Sequence, residues 1–313
     1  MDILKQVSNI GIVPVIAIDD ASKAVPLAKA LAAGGLPAAE VTFRTAAAED
    51  AIRAIVQEVP EMLVGAGTVI TTEQADRAMA AGATFIVAPG YDPKVTQHVL
   101  DKGGIMMPGT ASAGEMQQAM NQGCQVIKYF PAEANGGVAM LKNIGAALKG
   151  AKWMCTGGVS AKNVNDYLGY SQIVAVGGTW MCKKELIEGE KWDEITAMCK
   201  EAVKTMLGFS LAHVGLNCEN EAEAGQSAKT LCALFGFEYK PGNSSIFAGS
   251  AVECMKSPYL GKNGHIAIAT NSLDRAVYHL GRQGVEFDES TRKPKAIYLK
   301  QEVGGFAIHL VQR

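Results

Sequence analysis

The sequence lacks an excess of basic charge and any long apolar run. Its 313 residues hold 29 Lys and Arg against 31 Asp and Glu, for a formal net charge of −2. A surface for nucleic acid or an anionic membrane is therefore unsupported, and small-molecule chemistry is favoured. No apolar run approaches the ~18 residues that a membrane span needs.

Paired cysteines and a leader pattern are also lacking. The seven cysteines are odd in number, scattered, and form no C-x-x-C pair, so free thiols in a reducing compartment are the simplest interpretation. The first residues, Met-Asp-Ile-Leu-Lys-Gln, do not combine a basic region with an apolar one. We therefore expect a cytoplasmic protein without a nucleic-acid or membrane partner.

The first two thirds of the chain alternate between β-branched apolar runs and alanine-rich amphipathic segments. This alternation predicts eight βα units, the count of a closed (β/α)₈ barrel. An open doubly wound sheet is the alternative, but no G-x-G-x-x-G follows the first strand, so a dinucleotide fold is unsupported. The predicted strands are 11–18, 38–44, 62–69, 85–90, 105–110, 126–131, 152–157 and 173–179.

A single lysine, Lys128, interrupts the apolar run of the sixth predicted strand. Strand alternation places it on the same face as Val126 and Phe130, where burial disfavours a charged amine and leaves free amine for attack on a carbonyl. The alternative is a lysine whose ammonium reaches solvent or pairs with a carboxylate.

The other strand ends carry polar residues that suit one kind of substrate. Period-two alternation turns Glu40, Thr42 and Arg44 inward, and strands seven and eight both end in glycine pairs that expose backbone amides. An amine, a carboxylate, a guanidinium and an anion cradle together suit phosphorylated 2-keto acids. Separately, Glu40 and Lys128 could be a buried salt bridge, and the glycine pairs could be empty turns.

Three segments resemble those of the bacterial 2-keto-3-deoxy-6-phosphogluconate (KDPG) and 4-hydroxy-2-oxoglutarate aldolases. They are Glu-Val-Thr-Phe-Arg-Thr (40–45), Gly-Ala-Gly-Thr-Val (65–69) and Lys-Tyr-Phe-Pro-Ala-Glu (128–133), and the similarity runs over about residues 3–206. The resemblance implies a TIM barrel, a homotrimer and class I cleavage of KDPG to pyruvate and glyceraldehyde 3-phosphate. Cleavage of 4-hydroxy-2-oxoglutarate to pyruvate and glyoxylate is a further implied activity. No cofactor is implied for this reaction.

The resemblance also implies roles for single residues. Lys128 would form the Schiff base, and Glu40 would be the general acid and base, acting through a water. Many relatives have serine where this chain has Thr179, and the extra methyl group leaves the preference for phosphorylated substrates open. The implied substrate-binding residues are Arg44 and Thr68 for the carboxylate, Pro89 and Thr156 along the pocket, and Gly157, Gly158, Gly177, Gly178 and Thr179 for the phosphate.

After Gly208 the pattern changes to short strands separated by Gly, Pro, Asn and Ser. The order strand, helix, three strands occurs twice, over 211–255 and 265–311, which predicts an α+β domain of paired βαβββ repeats. With His213 and His265 opening the two repeats, this part resembles the vicinal oxygen chelate superfamily of glyoxalases and epimerases.

Metal-dependent members of that superfamily place one ligand on the first and last strand of each repeat. The matching positions are His213, Glu253, His265 and His309, and such ligands suit Zn, Ni, Mn, Fe or Co. His309 departs from the glutamate that glyoxalase-like members more often have, which puts their proton-transfer chemistry in doubt. A metal-free domain that only binds or stabilises is the alternative.

The sequence therefore predicts an α/β protein with an aldolase barrel over residues 1–207 and a glyoxalase-like domain over 208–313. The alternative function is a degenerate barrel that serves as a scaffold for a ligand-binding, sensing or metal-dependent isomerase domain. The presence of Glu40, Arg44 and Lys128 argues against that alternative.

Overall fold

A computed structural model describes residues 2–313 of the chain. The chain divides into two compact units, the first ending at Met206 and the second spanning Leu207–Arg313. No helix within residues 2–313 combines the length and the apolarity that crossing a membrane requires.

The first unit is a nearly closed barrel of parallel strands, as the alternating pattern predicted. Hydrogen-bonded neighbours follow the order β5-β4-β3-β2-β1-β9-β8-β7-β6. The fifth predicted strand is split at Pro108, whose nitrogen cannot donate to a ladder, so eight expected strands become nine segments. The strands are β1 Ile12–Ile16, β2 Ala38–Thr42, β3 Leu63–Gly67, β4 Phe85–Val87, β5 Met106–Met107, β6 Gly109–Thr110, β7 Ile127–Tyr129, β8 Trp153–Thr156 and β9 Ile173–Gly178.

Helices alternate with these strands and bury their apolar faces against them. Local capping sets where several begin: Asp92 accepts from two backbone amides ahead of a helix that opens with Pro93, and Ser112 forms a capping box with Glu115. The helices are α1 Ile3–Ile10, α2 Ala24–Ala33, α3 Ala48–Glu58, α4 Thr72–Ala80, α5 Pro93–Asp101, α6 Ala113–Asn121, α7 Gly137–Ala147, α8 Val164–Leu168, α9 Lys184–Glu188 and α10 Trp192–Leu207.

The second unit contains the duplicated βαβββ order. Its eight strands form one mixed sheet in the order β11-β12-β13-β10-β14-β17-β16-β15, with the first strand of each repeat, β10 and β14, antiparallel at the centre. The last strand of each repeat lies parallel beside the first. The elements are β10 Ser210–Asn217, α11 Glu221–Phe235, β11 Tyr239–Pro241, β12 Ser245–Ala248, β13 Val252–Met255, β14 Gly264–Thr270, α12 Leu273–Gly281, β15 Phe287–Lys293, β16 Ala296–Val303 and β17 Phe306–Gln312.

The fold class predicted from the sequence is confirmed in both units. Two predictions about smaller features are wrong. The acidic sequence of residues 185–190 predicts a solvated loop, but α9 occupies most of this stretch. The polar helical residues around His279 predict a surface position, but this histidine is 2% exposed on α12 and lies edge-on to Tyr278.

Candidate active site and a second polar cluster

Lys128 lies at the middle of β7 with its side chain inside the barrel. It is 5% exposed, and its Nζ donates to Oε1 of Glu40 over 3.0 Å. The same ammonium lies 5.3 Å from the centre of the Phe130 ring, within cation–π range. Lys128 is thus held in one position by an acceptor and an aromatic face, both from inside the barrel.

Glu40 on β2 is fully buried, and its Oε1 accepts the hydrogen bond from Lys128. Oε2 has no hydrogen-bond partner among the described residues. A Cβ at Gly67 would lie 2.3 Å from Oε1, so only glycine on β3 leaves room for this carboxylate. Because buried carboxylate oxygens are normally paired, Oε2 is available to a proton-carrying ligand.

The guanidinium of Arg44 is oriented by a chain of hydrogen bonds. Its Nε donates to Oγ1 of Thr42, whose hydroxyl donates to the Ile16 carbonyl oxygen over 2.8 Å. Next to it, Thr68 has a φ of 57°, a left-handed conformation that is strained for a β-branched residue. Such strain persists where the surrounding structure imposes it, and it concentrates at functional sites.

A glycine turn follows β8 on another side of the site. Gly157 and Gly158 have φ values of 100° and 84°, which direct successive backbone groups into a concave turn. Oγ1 of Thr156, just before them, is buried and lacks a partner among residues 2–313. Backbone amides together with a free hydroxyl are suited to holding an anion.

All these groups surround one cavity of about 330 Å³. Every residue that the sequence predicted for the aldolase site lines it. Sequence reasoning missed four further lining residues, of which Thr42 and Phe130 had already been placed on the inward faces of their strands by period-two alternation. The predicted residues are Glu40, Arg44, Thr68, Pro89, Lys128, Thr156, Gly157, Gly158, Gly177, Gly178 and Thr179; the additional ones are Val15, Thr42, Phe130 and Val159.

The four candidate metal ligands of the second unit lie on one face of its sheet. Gly215 on β10 is in register with Glu253 and His265, and Ala267 is in register with His213 and His309. A Cβ at Gly215 would meet the His265 ring at 2.1 Å, so the glycine makes room for that ring.

Three donor atoms of this cluster converge on one point. Nε2 of His213 and Nε2 of His265 are 3.1 Å apart, and they lie 3.2 and 3.1 Å from Oε2 of Glu253. Burial by itself raises the pKa of Glu253, but hydrogen bonds with His213, His265 and Ser245 lower it by more than burial raises it. The net effect is a lowered pKa, so the carboxylate is ionised. One ring nitrogen from each of His213, His265 and His309 can be chosen so that all three atoms lie within 4.8 Å of one another.

His309 is the fourth member of the cluster, with its ring centre 5.6 Å from that of His213 and 5.0 Å from that of His265. Burial, followed by repulsion from His265 and His213, lowers its pKa to about 4, so its ring is neutral at neutral pH. Neither ring nitrogen has a hydrogen-bond partner among the described residues. Its ring stacks on Tyr298 with centres 4.6 Å apart. A neutral, buried and unpaired imidazole is the form that binds a metal ion.

Comparison with known proteins identifies the class of the barrel. The model of the KDPG and KHG aldolases matches residues 3–198. The 2-dehydro-3-deoxy-phosphogluconate aldolase of Treponema pallidum is 40% identical over 202 residues, which cover 64% of this chain and 96% of that protein. The KHG/KDPG aldolase of Escherichia coli K12 is 40% identical over 193 residues, or 62% of this chain and 91% of that protein.

A solved structure agrees. The KDPG aldolase of Legionella pneumophila, crystallised with pyruvate captured as a covalent carbinolamine, superposes with a TM-score of 0.62 at 36% identity, covering 64% of this chain and 97% of that one. The site and these matches define a carbon–carbon lyase of the Schiff-base aldolase class, which needs no metal for its reaction. The chain belongs to the KDPG and KHG aldolase family.

Proposed function

We propose that the barrel cleaves KDPG to pyruvate and glyceraldehyde 3-phosphate through an imine on Lys128. The observation that carries this proposal is the buried Lys128–Glu40 pair, with Nζ and Oε1 3.0 Å apart in a cavity lined by Arg44 and the glycine turn. Because each group matches one part of a phosphorylated 2-keto acid, a single bound orientation uses all of them.

The chemical steps follow from this pair. The Lys128 amine adds to the C2 carbonyl, and loss of water from the carbinolamine gives an iminium ion. A carboxylate oxygen of Glu40 accepts the proton of the C4 hydroxyl, through a water molecule, while the C3–C4 bond breaks and its electrons pass to the iminium nitrogen. Protonation of the resulting enamine at C3 and hydrolysis release pyruvate and restore the amine.

The remaining residues position the substrate. Arg44 can hold the carboxylate bidentately, with the Thr68 hydroxyl beside it. The amides of Gly157, Gly158, Gly177 and Gly178, with the Thr179 hydroxyl, suit the phosphate. Pro89 and Thr156 line the space between the two ends, where they influence stereochemistry. A shorter substrate, 4-hydroxy-2-oxoglutarate, uses the same amine and guanidinium and leaves the phosphate cradle empty.

Trapping with borohydride tests the proposal. Pyruvate plus reductant should add a three-carbon unit to Lys128, located by peptide mass spectrometry. Lys128→Ala should abolish labelling and KDPG cleavage, whereas the control Lys152→Ala, an exposed lysine of the same unit, should label normally. Labelling of another lysine, or turnover by Lys128→Ala at the wild-type rate, would reject the assignment and favour the scaffold alternative.

For residues 208–313 we propose a vicinal oxygen chelate domain that binds a divalent metal ion through His213, Glu253, His265 and His309. The duplicated βαβββ order and the placement of one ligand on the first and last strand of each repeat support it. Two ligand atoms that lie about 2.1 Å from one ion, at right angles, are about 3.0 Å apart, close to the separations among His213, Glu253 and His265. A bound ion would supply a Lewis acid for an oxygen ligand.

Elemental analysis tests the metal site. Protein purified without chelator and then dialysed against Mn²⁺, Zn²⁺ or Ni²⁺ should retain about one ion per chain. The double variant His213→Ala with His265→Ala should lose it, and His98→Ala, in the barrel, should retain it. Wild-type protein without bound metal would reject the site.

Two expectations stay predictions. The family resemblance implies that the barrel of residues 1–207 assembles as a homotrimer, which light scattering can measure. The cysteine pattern and the first residues of the sequence predict a cytoplasmic protein.

A further inference from the structure

A second cavity of about 270 Å³ opens beside the polar cluster of the second unit. It falls just below the ~300 Å³ at which pockets for drug-sized molecules begin, so it suits a small ligand. Its walls combine the four candidate metal ligands with Tyr298 and with Lys293 at the end of β15.

The charges around this cavity do not balance once a divalent ion is present. Glu253 is the single acidic residue among the described lining residues, and Lys293 contributes an ammonium. No carboxylate of residues 2–313 lies within ion-pair distance of Lys293. A doubly charged ion with one carboxylate, three neutral imidazoles and this ammonium leaves the cavity strongly positive.

The identity of the fourth ligand sets much of this balance. A carboxylate at position 309 would neutralise one further positive charge, whereas a neutral imidazole leaves it uncompensated. Lys293 lines the same cavity as His309 and brings a further positive charge to it. The imidazole and the lysine therefore act in the same direction on any charged ligand.

We infer that the cavity binds a small carboxylate, held by the metal ion on one side and by the Lys293 ammonium on the other. This inference rests on the proposed metal site. A bound anion compensates the positive charge that the protein leaves unpaired, and Tyr298, which also lines the cavity, gives the ligand an aromatic wall.

Paramagnetic relaxation in the full-length protein loaded with Mn²⁺ tests this inference. Glycolate is the probe, and glycolamide is its neutral isostere. Glycolate cannot form an imine with Lys128, since it has no keto group. Its proton relaxation reports only molecules near Mn²⁺, so glycolate bound elsewhere does not contribute. The expected result is saturable relaxation enhancement by glycolate and little by glycolamide.

Lys293→Gln should weaken glycolate binding about fivefold, the upper range for one exposed charge pair. The matched control Lys295→Gln, two residues further on and outside the cavity lining, should bind as wild type does. His309→Glu should also weaken glycolate binding while Mn²⁺ remains bound, because it adds a negative charge to the site.

The outcomes separate the two proposals. Failure of Mn²⁺ to bind the wild-type protein overturns this inference, and it overturns the metal site as well if Zn²⁺ and Ni²⁺ also fail to bind. Bound Mn²⁺ with equal enhancement by glycolate and glycolamide, or with equal effects of Lys293→Gln and Lys295→Gln, overturns this inference and leaves the metal site standing.

Discussion

At the scale of single residues, the catalytic proposal depends on how two buried side chains share their polar atoms. Lys128 donates a hydrogen bond to Oε1 of Glu40, and Oε2 has no hydrogen-bond partner among residues 2–313. The predicted alternative of a buried salt bridge therefore describes a real contact, but it leaves half of the carboxylate unexplained. An ion pair with one free oxygen is ready to exchange a proton with a ligand.

Glu40→Gln should retain imine formation but lower kcat for KDPG about 10²–10⁴-fold, the usual contribution of a positioned proton-transfer group. Glutamine keeps the volume and the acceptor for Lys128 but cannot take a proton. Stopped-flow turnover and borohydride trapping measure the two effects separately. Glu58→Gln, at the exposed end of α3, is the control. Undiminished turnover in Glu40→Gln would remove Glu40 from the mechanism.

At the scale of elements, a contact between the turn after β7 and helix α8 supports the glycine turn. The backbone amide of Glu133 donates to the Gly157 carbonyl oxygen over 3.0 Å, and its side-chain stem lies against Gly158. The hydroxyl of Tyr167, which is 1% exposed on α8, donates to the Glu133 carboxylate. Asn163 donates to the Gly158 carbonyl oxygen over 3.2 Å. Sequence reasoning missed these supporting residues, although Glu133 closes one of the motifs.

Tyr167→Phe should raise KM for KDPG about threefold to tenfold, because losing one hydrogen bond costs on the order of 1 kcal/mol. It should leave kcat/KM for 4-hydroxy-2-oxoglutarate unchanged, since that substrate has no phosphate. Tyr170→Phe is the matched control: it removes a tyrosine hydroxyl bonded to Gln172 in the same unit. Equal loss with both substrates would show that Tyr167 acts on stability alone.

At the scale of the whole molecule, each unit contains its own polar site. The aldolase cavity is lined entirely by residues 15–179 and the histidine cavity entirely by residues 213–309. The Schiff-base route uses no group from the second unit. We therefore expect metal binding and aldol cleavage to be separable.

Adding a chelator should lower the unfolding free energy of the second unit and leave pyruvate release from KDPG nearly unchanged. The loss is about 2.7 kcal/mol if the free ion was present at 100 times its dissociation constant. All three tryptophans, Trp153, Trp180 and Trp192, lie in the first unit. Tryptophan fluorescence should therefore report an unchanged unfolding transition of the barrel, while calorimetry detects the lowered stability of the second unit. Loss of aldolase activity on chelation would contradict the independence of the sites.

Much of the fold was predictable because its signals are local. Strand runs in the barrel recur with helical segments between them, and the prediction errors lie mainly at strand ends. Strands over 85–90 and 126–131 were predicted, whereas β4 spans Phe85–Val87 and β7 spans Ile127–Tyr129. Helix α1 was not predicted, and α9 was taken for a loop, because both are too short for periodicity to be decisive. His279 was misplaced because its burial depends on what packs against α12.

The sequence by itself determined the order of the elements, the inward faces of the strands and the kinds of side chain at each strand end. Period-two alternation is a property of the backbone, so Glu40, Arg44 and Lys128 could be assigned to one interior without coordinates. Only the tertiary structure decided which atoms meet. The 3.0 Å contact of Lys128 with Glu40 joins residues 88 positions apart. The lack of a partner for Oε2 of Glu40 and for the His309 ring among the described residues depends on every neighbour in the fold. Lys293 is brought to its cavity by the pairing of β15 with β16. Such contacts are set by packing between distant segments, which no local pattern encodes.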